Sequence, residues 1–89
     1  MKNYYCYILW SSRGQKFYVG ITEDVDHRLE QHNYGVSKWT KRFAGTWELV
    51  WVKKYYNLTN ARKQENLLKR QKGGNKFYEL TGLLKEDFR

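Results

Sequence analysis

Residues 4–22, YYCYILWSSRGQKFYVGIT, decide the fold. Tyr4 to Trp10 is aromatic and aliphatic, with the composition of a strand. Ser11-Ser12-Arg13-Gly14 is turn chemistry: short hydroxyl side chains that bond nearby backbone, then a glycine. Lys16 to Ile21 is a second short strand. A connection of only a few residues joins antiparallel neighbours, so the stretch predicts a hairpin. Tyr5 and Tyr7 alternate with Cys6 and Ile8 and share one face of it. Tyr18 stands on the neighbouring strand, and Gly20, two residues on, leaves room for another group to approach the backbone.

Working outward, Thr22-Glu23-Asp24 opens a helix, with a capping side chain and acids in its first turn. Val25, Leu29 and His32 follow at helical spacing, and Gly35 is its stop. Val36 to Thr46 mixes Lys, Arg, Trp and Gly with little period and reads as a loop. Trp47 to Tyr56 is a third strand. Asn57 or Thr59 caps a second helix that runs to about Gln71 and breaks at Gly73-Gly74. A short last helix covers Lys76 to Leu84, with Phe77, Leu80, Leu83 and Leu84 inward. The order β-β-α-β-α-α predicts an α/β domain with a small, three-stranded, mostly antiparallel sheet flanked by helices. At 89 residues the chain is expected to form a single domain, residues 1–89 with a core of about 3–82.

Charge is unevenly spread. The chain carries +8 overall. Residues 1–37 hold four basic and four acidic side chains, whereas residues 38–76 hold eleven basic and two acidic. A localised positive field attracts polyanions, and nucleic acid is the commonest. A membrane surface is disfavoured, since no basic amphipathic helix has a broad apolar face. The single cysteine, Cys6, excludes an internal disulfide and a cysteine-based zinc site, and its apolar neighbours make it a small buried hydrophobe. A reducing, cytoplasmic setting is expected, with no signal peptide or membrane span.

Two helices carry polar groups where a core should be. In the second, the inward stripe Leu58, Ala61, Glu65, Leu68 places a carboxylate in its middle. That carboxylate needs a cation. Lys69, one turn on, is one; a metal ion is the other. Magnesium is held by one or two carboxylates, the rest being water and substrate phosphate, so a lone Glu suffices for it and not for zinc. In the first helix, Arg28 and His32 stack at the edge of the Val25 and Leu29 stripe. Arg28 either grips a phosphate or pairs with Asp24; His32 is either functional or a satisfied helix-surface histidine. Strand tyrosines are ordinarily packing residues. The unusual feature is that Tyr, Tyr, Arg, His and Glu converge.

In these residues the chain resembles the GIY-YIG nuclease family, over roughly residues 3–82. Cys6-Tyr7-Ile8 corresponds to the first motif and Tyr18-Val19-Gly20 to the second. Arg28 and His32 match the family's following helix, and Glu65 its metal-binding glutamate. Cys6 replaces the glycine of the first motif. The likeness is greatest to short bacterial members of the URI type. It implies a divalent-metal-dependent endonuclease with Mg²⁺ or Mn²⁺, one per site, on Glu65. It also implies that Arg28 neutralises the phosphate, that Tyr7 or Tyr18 is a general base and that His32 orients a tyrosine or shuttles a proton. Asn75 is the candidate for a further asparagine that closes the site in some relatives. Structure-selective cleavage in DNA repair or recombination is the expected role, with DNA favoured over RNA and no membrane partner. The alternative is a nucleic-acid-binding module with little turnover of its own.

The substrate surface expected from charge comprises Lys38, Lys41 and Arg42 in the loop, beside Trp39. Arg62, Lys63, Lys69, Arg70, Lys72 and Lys76 extend it along and beyond the second helix. Log affinity should then fall with log salt by about 0.9 per phosphate neutralised on duplex DNA. Trp39 either stacks on an unpaired base or folds onto the core.

Overall fold

The first strand is buried on both faces, and the layering follows from that. In the computed structural model, which describes residues 2–88, β1 (Tyr4–Ser11) is the central strand of a sheet ordered β2-β1-β3. β2 spans Lys16–Thr22 and β3 spans Trp47–Tyr55, and both pair with β1 antiparallel. The sheet is wholly antiparallel. A central strand covered on both sides loses the alternation of a half-exposed one and reads as a nearly continuous apolar run. Cys6, Ile8 and Trp10 face one layer with Phe17 and Val19; Tyr7 and Leu9 face the other. A bulge in β3 opposite Ile8 and Leu9 shifts the register by one residue, so that Trp51 faces Ile8 and Leu49 faces Leu9.

Helix α1 (Val25–Tyr34) covers the Tyr7 face. Asp24 caps it by accepting the His27 amide at 3.1 Å, and Gly35 ends it with a left-handed φ of 89°. Helix α2 (Leu58–Gln71) covers the Cys6 face, capped by Asn57, which accepts the Asn60 amide at 2.8 Å. Ala61 and Leu68 are fully buried there, and Leu68 joins the main core with Phe77 from α3 (Asn75–Thr81).

Some expectations need correction. α3 stops at Thr81 because Gly82 turns left-handed, with φ 77°. Leu84 lies beyond that turn and is 56% exposed, not inward. A one-turn 3₁₀ helix (Lys85–Asp87) then carries Phe88 back onto the core, its ring 5.2 Å from Trp10 and 5.0 Å from Phe17. Leu58 begins α2 rather than lying within its stripe, and is exposed.

Val36 to Thr46 is aperiodic but well tied, with a 3₁₀ turn at Lys41–Phe43. Asn33 donates to the Trp47 carbonyl at 2.9 Å and accepts the amides of Gly45 and Trp47. The Trp47 indole donates to the Thr40 carbonyl, and Thr46 meets Ser11 at 2.7 Å. These polar ties take the place of a hydrophobic stripe.

Candidate active site

Tyr7 lies opposite Gly20 in the β1–β2 register. A Cβ on residue 20 would stand 2.6 Å from the Tyr7 hydroxyl and 2.8 Å from Cζ, so the phenol end of Tyr7 occupies the space that the glycine leaves. On its far side the same hydroxyl is 2.9 Å from His32 Nε2. The other imidazole nitrogen, Nδ1, is 2.6 Å from the Thr40 hydroxyl. His32 is fully buried with both nitrogens partnered, so of the two alternatives the helix-surface histidine does not hold. Its ring centroid is 4.7 Å from that of Tyr18 and 5.9 Å from that of Tyr7.

Burial pushes the His32 imidazolium down to about 4, and the Arg28 charge adds to this, so the ring is neutral near pH 7. Burial raises the Tyr7 phenol above the ordinary tyrosine value. Tyr18 reinforces that shift, and the positive charge of the Arg28 guanidinium opposes it. Arg28 makes no ion pair with Asp24. The Asp24 side chain is engaged at the helix cap, and Arg28 donates to Gln31 Oε1 at 2.9 Å.

Tyr7, Tyr18, Gly20, Arg28, Arg62 and Glu65 line one polar cavity of about 440 Å³. β2 is an edge strand, so α1 on one face of the sheet and α2 on the other both overhang it. That is how Arg28 and Glu65 meet around one space. The Glu65 side chain is only 15% exposed and pairs with Lys69 at 3.1 Å, the first of the two cations the sequence offered it. Glu23, also on the cavity, is more exposed and pairs with Lys2 at 3.6 Å.

The donor set can be tested for a metal. Among the described residues no group of three or more His, Cys, Asp or Glu could hold an ion, so a closed zinc-type site does not fit. A mostly buried carboxylate on an open polar cavity fits Mg²⁺ or Mn²⁺, with water and phosphate completing the shell.

The basic residues divide. Arg62 lines this first cavity. A second cavity, about 610 Å³, is lined by Trp39, Arg42, Lys69 and Lys72 among others. Trp39 is 81% exposed and is not folded onto the core. Lys38, Lys41, Lys63, Arg70 and Lys76 are exposed and line neither cavity, and Lys76 pairs with Glu79 at 3.8 Å. Asn75 is exposed at the start of α3 and lines neither. Thr40 is a site residue that the sequence does not mark. A lone threonine in an aperiodic loop carries no local signal of a partner eight residues earlier. No described helix is long and apolar enough to cross a membrane.

The family model described as the GIY-YIG catalytic domain matches residues 3–78. The chain is also 35% identical over 68 residues to UPF0213 protein OB0043 of Oceanobacillus iheyensis, covering 76% of this chain and 78% of that protein.

Proposed function

The chain belongs to the GIY-YIG family, a nuclease family, and from that premise we propose that it is a divalent-metal-dependent endonuclease hydrolysing phosphodiester bonds in DNA. The observation that carries this is the convergence of Tyr7, Tyr18, Arg28 and Glu65 on one cavity, with His32 directly behind Tyr7. In the reaction a water oxygen bonds to phosphorus and one P–O bond to a sugar breaks, leaving a phosphomonoester and a free hydroxyl.

Glu65 is the residue to hold the metal. A bound Mg²⁺ or Mn²⁺, one per site, supplies Lewis-acid polarisation of the phosphate and charge stabilisation of the leaving oxygen. The Arg28 guanidinium binds a non-bridging phosphate oxygen and offsets the charge that builds there. Tyr7 takes the proton from the attacking water and passes its own to His32 Nε2. His32 is neutral beforehand and Thr40 holds its Nδ1, so Nε2 is the available acceptor; burial makes the imidazolium costly, so the proton stays there only while the bond to phosphorus forms. Tyr18 orients the water from the neighbouring strand. Arg62 steadies a flanking phosphate.

Lysine and arginine side chains spread over an open surface hold phosphates, contacts that carry no sequence information directly. That favours selectivity for DNA structure over sequence, as repair and recombination require. A buried free thiol and the lack of a described membrane-crossing helix are compatible with a cytoplasmic protein.

A second reading, a nucleic-acid-binding module with little turnover, is favoured by the Glu65–Lys69 ion pair, which already engages one carboxylate oxygen. Cleavage of labelled single-stranded, duplex, flap and branched DNA, and of RNA counterparts, with Mg²⁺ or Mn²⁺ separates the two. The nuclease reading expects metal-dependent products that vanish with Glu65→Gln and Tyr7→Phe while the far-ultraviolet spectrum is retained. Salt-sensitive binding without products from the unmodified protein would leave the binding module.

A further inference from the structure

The larger cavity lies on the other side of Tyr18 from the candidate active site, and Tyr18 lines both. Its volume, about 610 Å³, is within the range of small-ligand sites. One part of its lining is aromatic: Tyr18, Phe43 and Trp39. Trp39 stands 81% exposed there, although the loop bearing it is pinned through Thr40 to His32 and Trp47. A large, solvent-exposed indole on an ordered support, beside Tyr18 and Phe43, offers a flat platform on which a base can stack.

The other part is basic. Lys16 from β2 and Lys69 and Lys72 from α2 and its end come together on this cavity. Lys69 is paired with Glu65, whereas Lys16 and Lys72 have no ion-pair partner among the described residues. Desolvation lowers the Lys72 ammonium below the ordinary lysine range, and the charges of Lys69 and Lys16 add to it. Three like charges gathered from two elements, only one of them matched by a carboxylate, are complementary to an anion. Planar aromatic surfaces beside them are complementary to a base.

A base inside a duplex has both faces covered by its neighbours; only an unstacked base can lie on an aromatic ring. We propose that this cavity is a nucleotide subsite that receives an unpaired nucleotide of a DNA strand next to the scissile phosphate, its base on Trp39, Tyr18 and Phe43 and its phosphate toward Lys16, Lys69 and Lys72. Only the position relative to the cut rests on the nuclease reading; the binding site stands apart from it. The strand runs from one cavity over Tyr18 into the next, so the nucleotide on that side must be unpaired when the phosphate is seated.

Binding measured in EDTA tests the subsite without turnover. The probes are a fluorescein-labelled single-stranded oligonucleotide, its duplex, and a series with one abasic residue walked along the strand. The unmodified protein is expected to bind the single strand more tightly than the duplex. Trp39→Ala is expected to weaken single-strand binding on the order of tenfold, the scale of one lost base stack, and duplex binding by less than about twofold. Lys72→Ala should reduce the salt slope on the single strand by about 0.7, the value for one phosphate contact. With Mg²⁺ added, one abasic position beside the cut should slow cleavage, and Trp39→Ala should remove that sensitivity.

Equal weakening of duplex and single strand by Trp39→Ala overturns the proposal, as does an unaltered single-strand affinity. Cleavage with no dependence on Trp39 leaves the nuclease reading standing and sinks the subsite. Trp39-dependent single-strand binding without any cleavage does the reverse.

Discussion

The Tyr7 hydroxyl lies 2.9 Å from His32 Nε2, in the buried layer between β1 and α1. The contact joins residues 25 positions apart and is closed on its far side by Thr40, 2.6 Å from His32 Nδ1. One side chain in a loop thereby holds the imidazole that partners the candidate base.

Thr40→Val keeps the shape and removes the hydroxyl. A buried imidazole nitrogen then lacks its partner, which costs roughly 1–3 kcal/mol. The expected outcome is a lower urea midpoint together with a changed pH profile of cleavage, and Thr40→Ser should restore both. A Val variant as stable as the parent, with the same profile, would show that the Thr40 hydroxyl does not hold His32.

Gly20→Ala places a methyl group where the Tyr7 phenol end now lies. Tyr7 is locked between β1 and α1, so it can yield only by leaving His32. Overpacking of this kind costs about 1–3 kcal/mol. Cleavage should fall more than tenfold while thermal unfolding stays cooperative. Full activity in the Ala variant would mean that Tyr7 has room to move that the packing denies.

Stability should depend on pH through His32. Its folded value is pushed down to about 4 from an ordinary 6.5, so protonation favours the unfolded chain. The contribution is complete above pH 6.5 and is lost as pH falls toward 4, amounting to about 2 kcal/mol by pH 5. Urea midpoints between pH 7 and 5 should fall for the parent and fall less for His32→Gln. Parallel curves for the two proteins would exclude His32 as the source.

Tyr55 carries a buried hydroxyl with no hydrogen-bond partner among the described residues, and burial raises its pKa. Tyr55→Phe removes that group and keeps the ring against the main core. Thermal unfolding should be unchanged or shifted upward by a few degrees, because an unpaired buried polar group costs stability. A loss above about 1 kcal/mol would reveal a partner for the hydroxyl.

The local elements were legible in the chain because their causes are local. The hairpin, the Asp24 and Asn57 caps, the Gly35 stop and the Gly73-Gly74 break each depend on residues a few positions apart. The element order β-β-α-β-α-α followed from them, and the motif residues followed from their order and spacing. The helix stripe also marked Glu65 as anomalous, since a carboxylate between Ala61 and Leu68 breaks a short-range pattern. What the stripe left open was its partner. Lys69 reaches it within the helix, one turn on, whereas tertiary structure brings the cavity to it, because β2 is an edge strand with a helix on either side. The burial of His32, the role of Thr40, the return of Phe88 to the core and the second cavity were not written in any local period. They depend on pairs such as Ser11 with Thr46, 35 residues apart, and on which faces of which elements stack. Periodicity and capping determined the elements; the polar ties of an aperiodic loop and the overhang of two helices at one sheet edge determined the site.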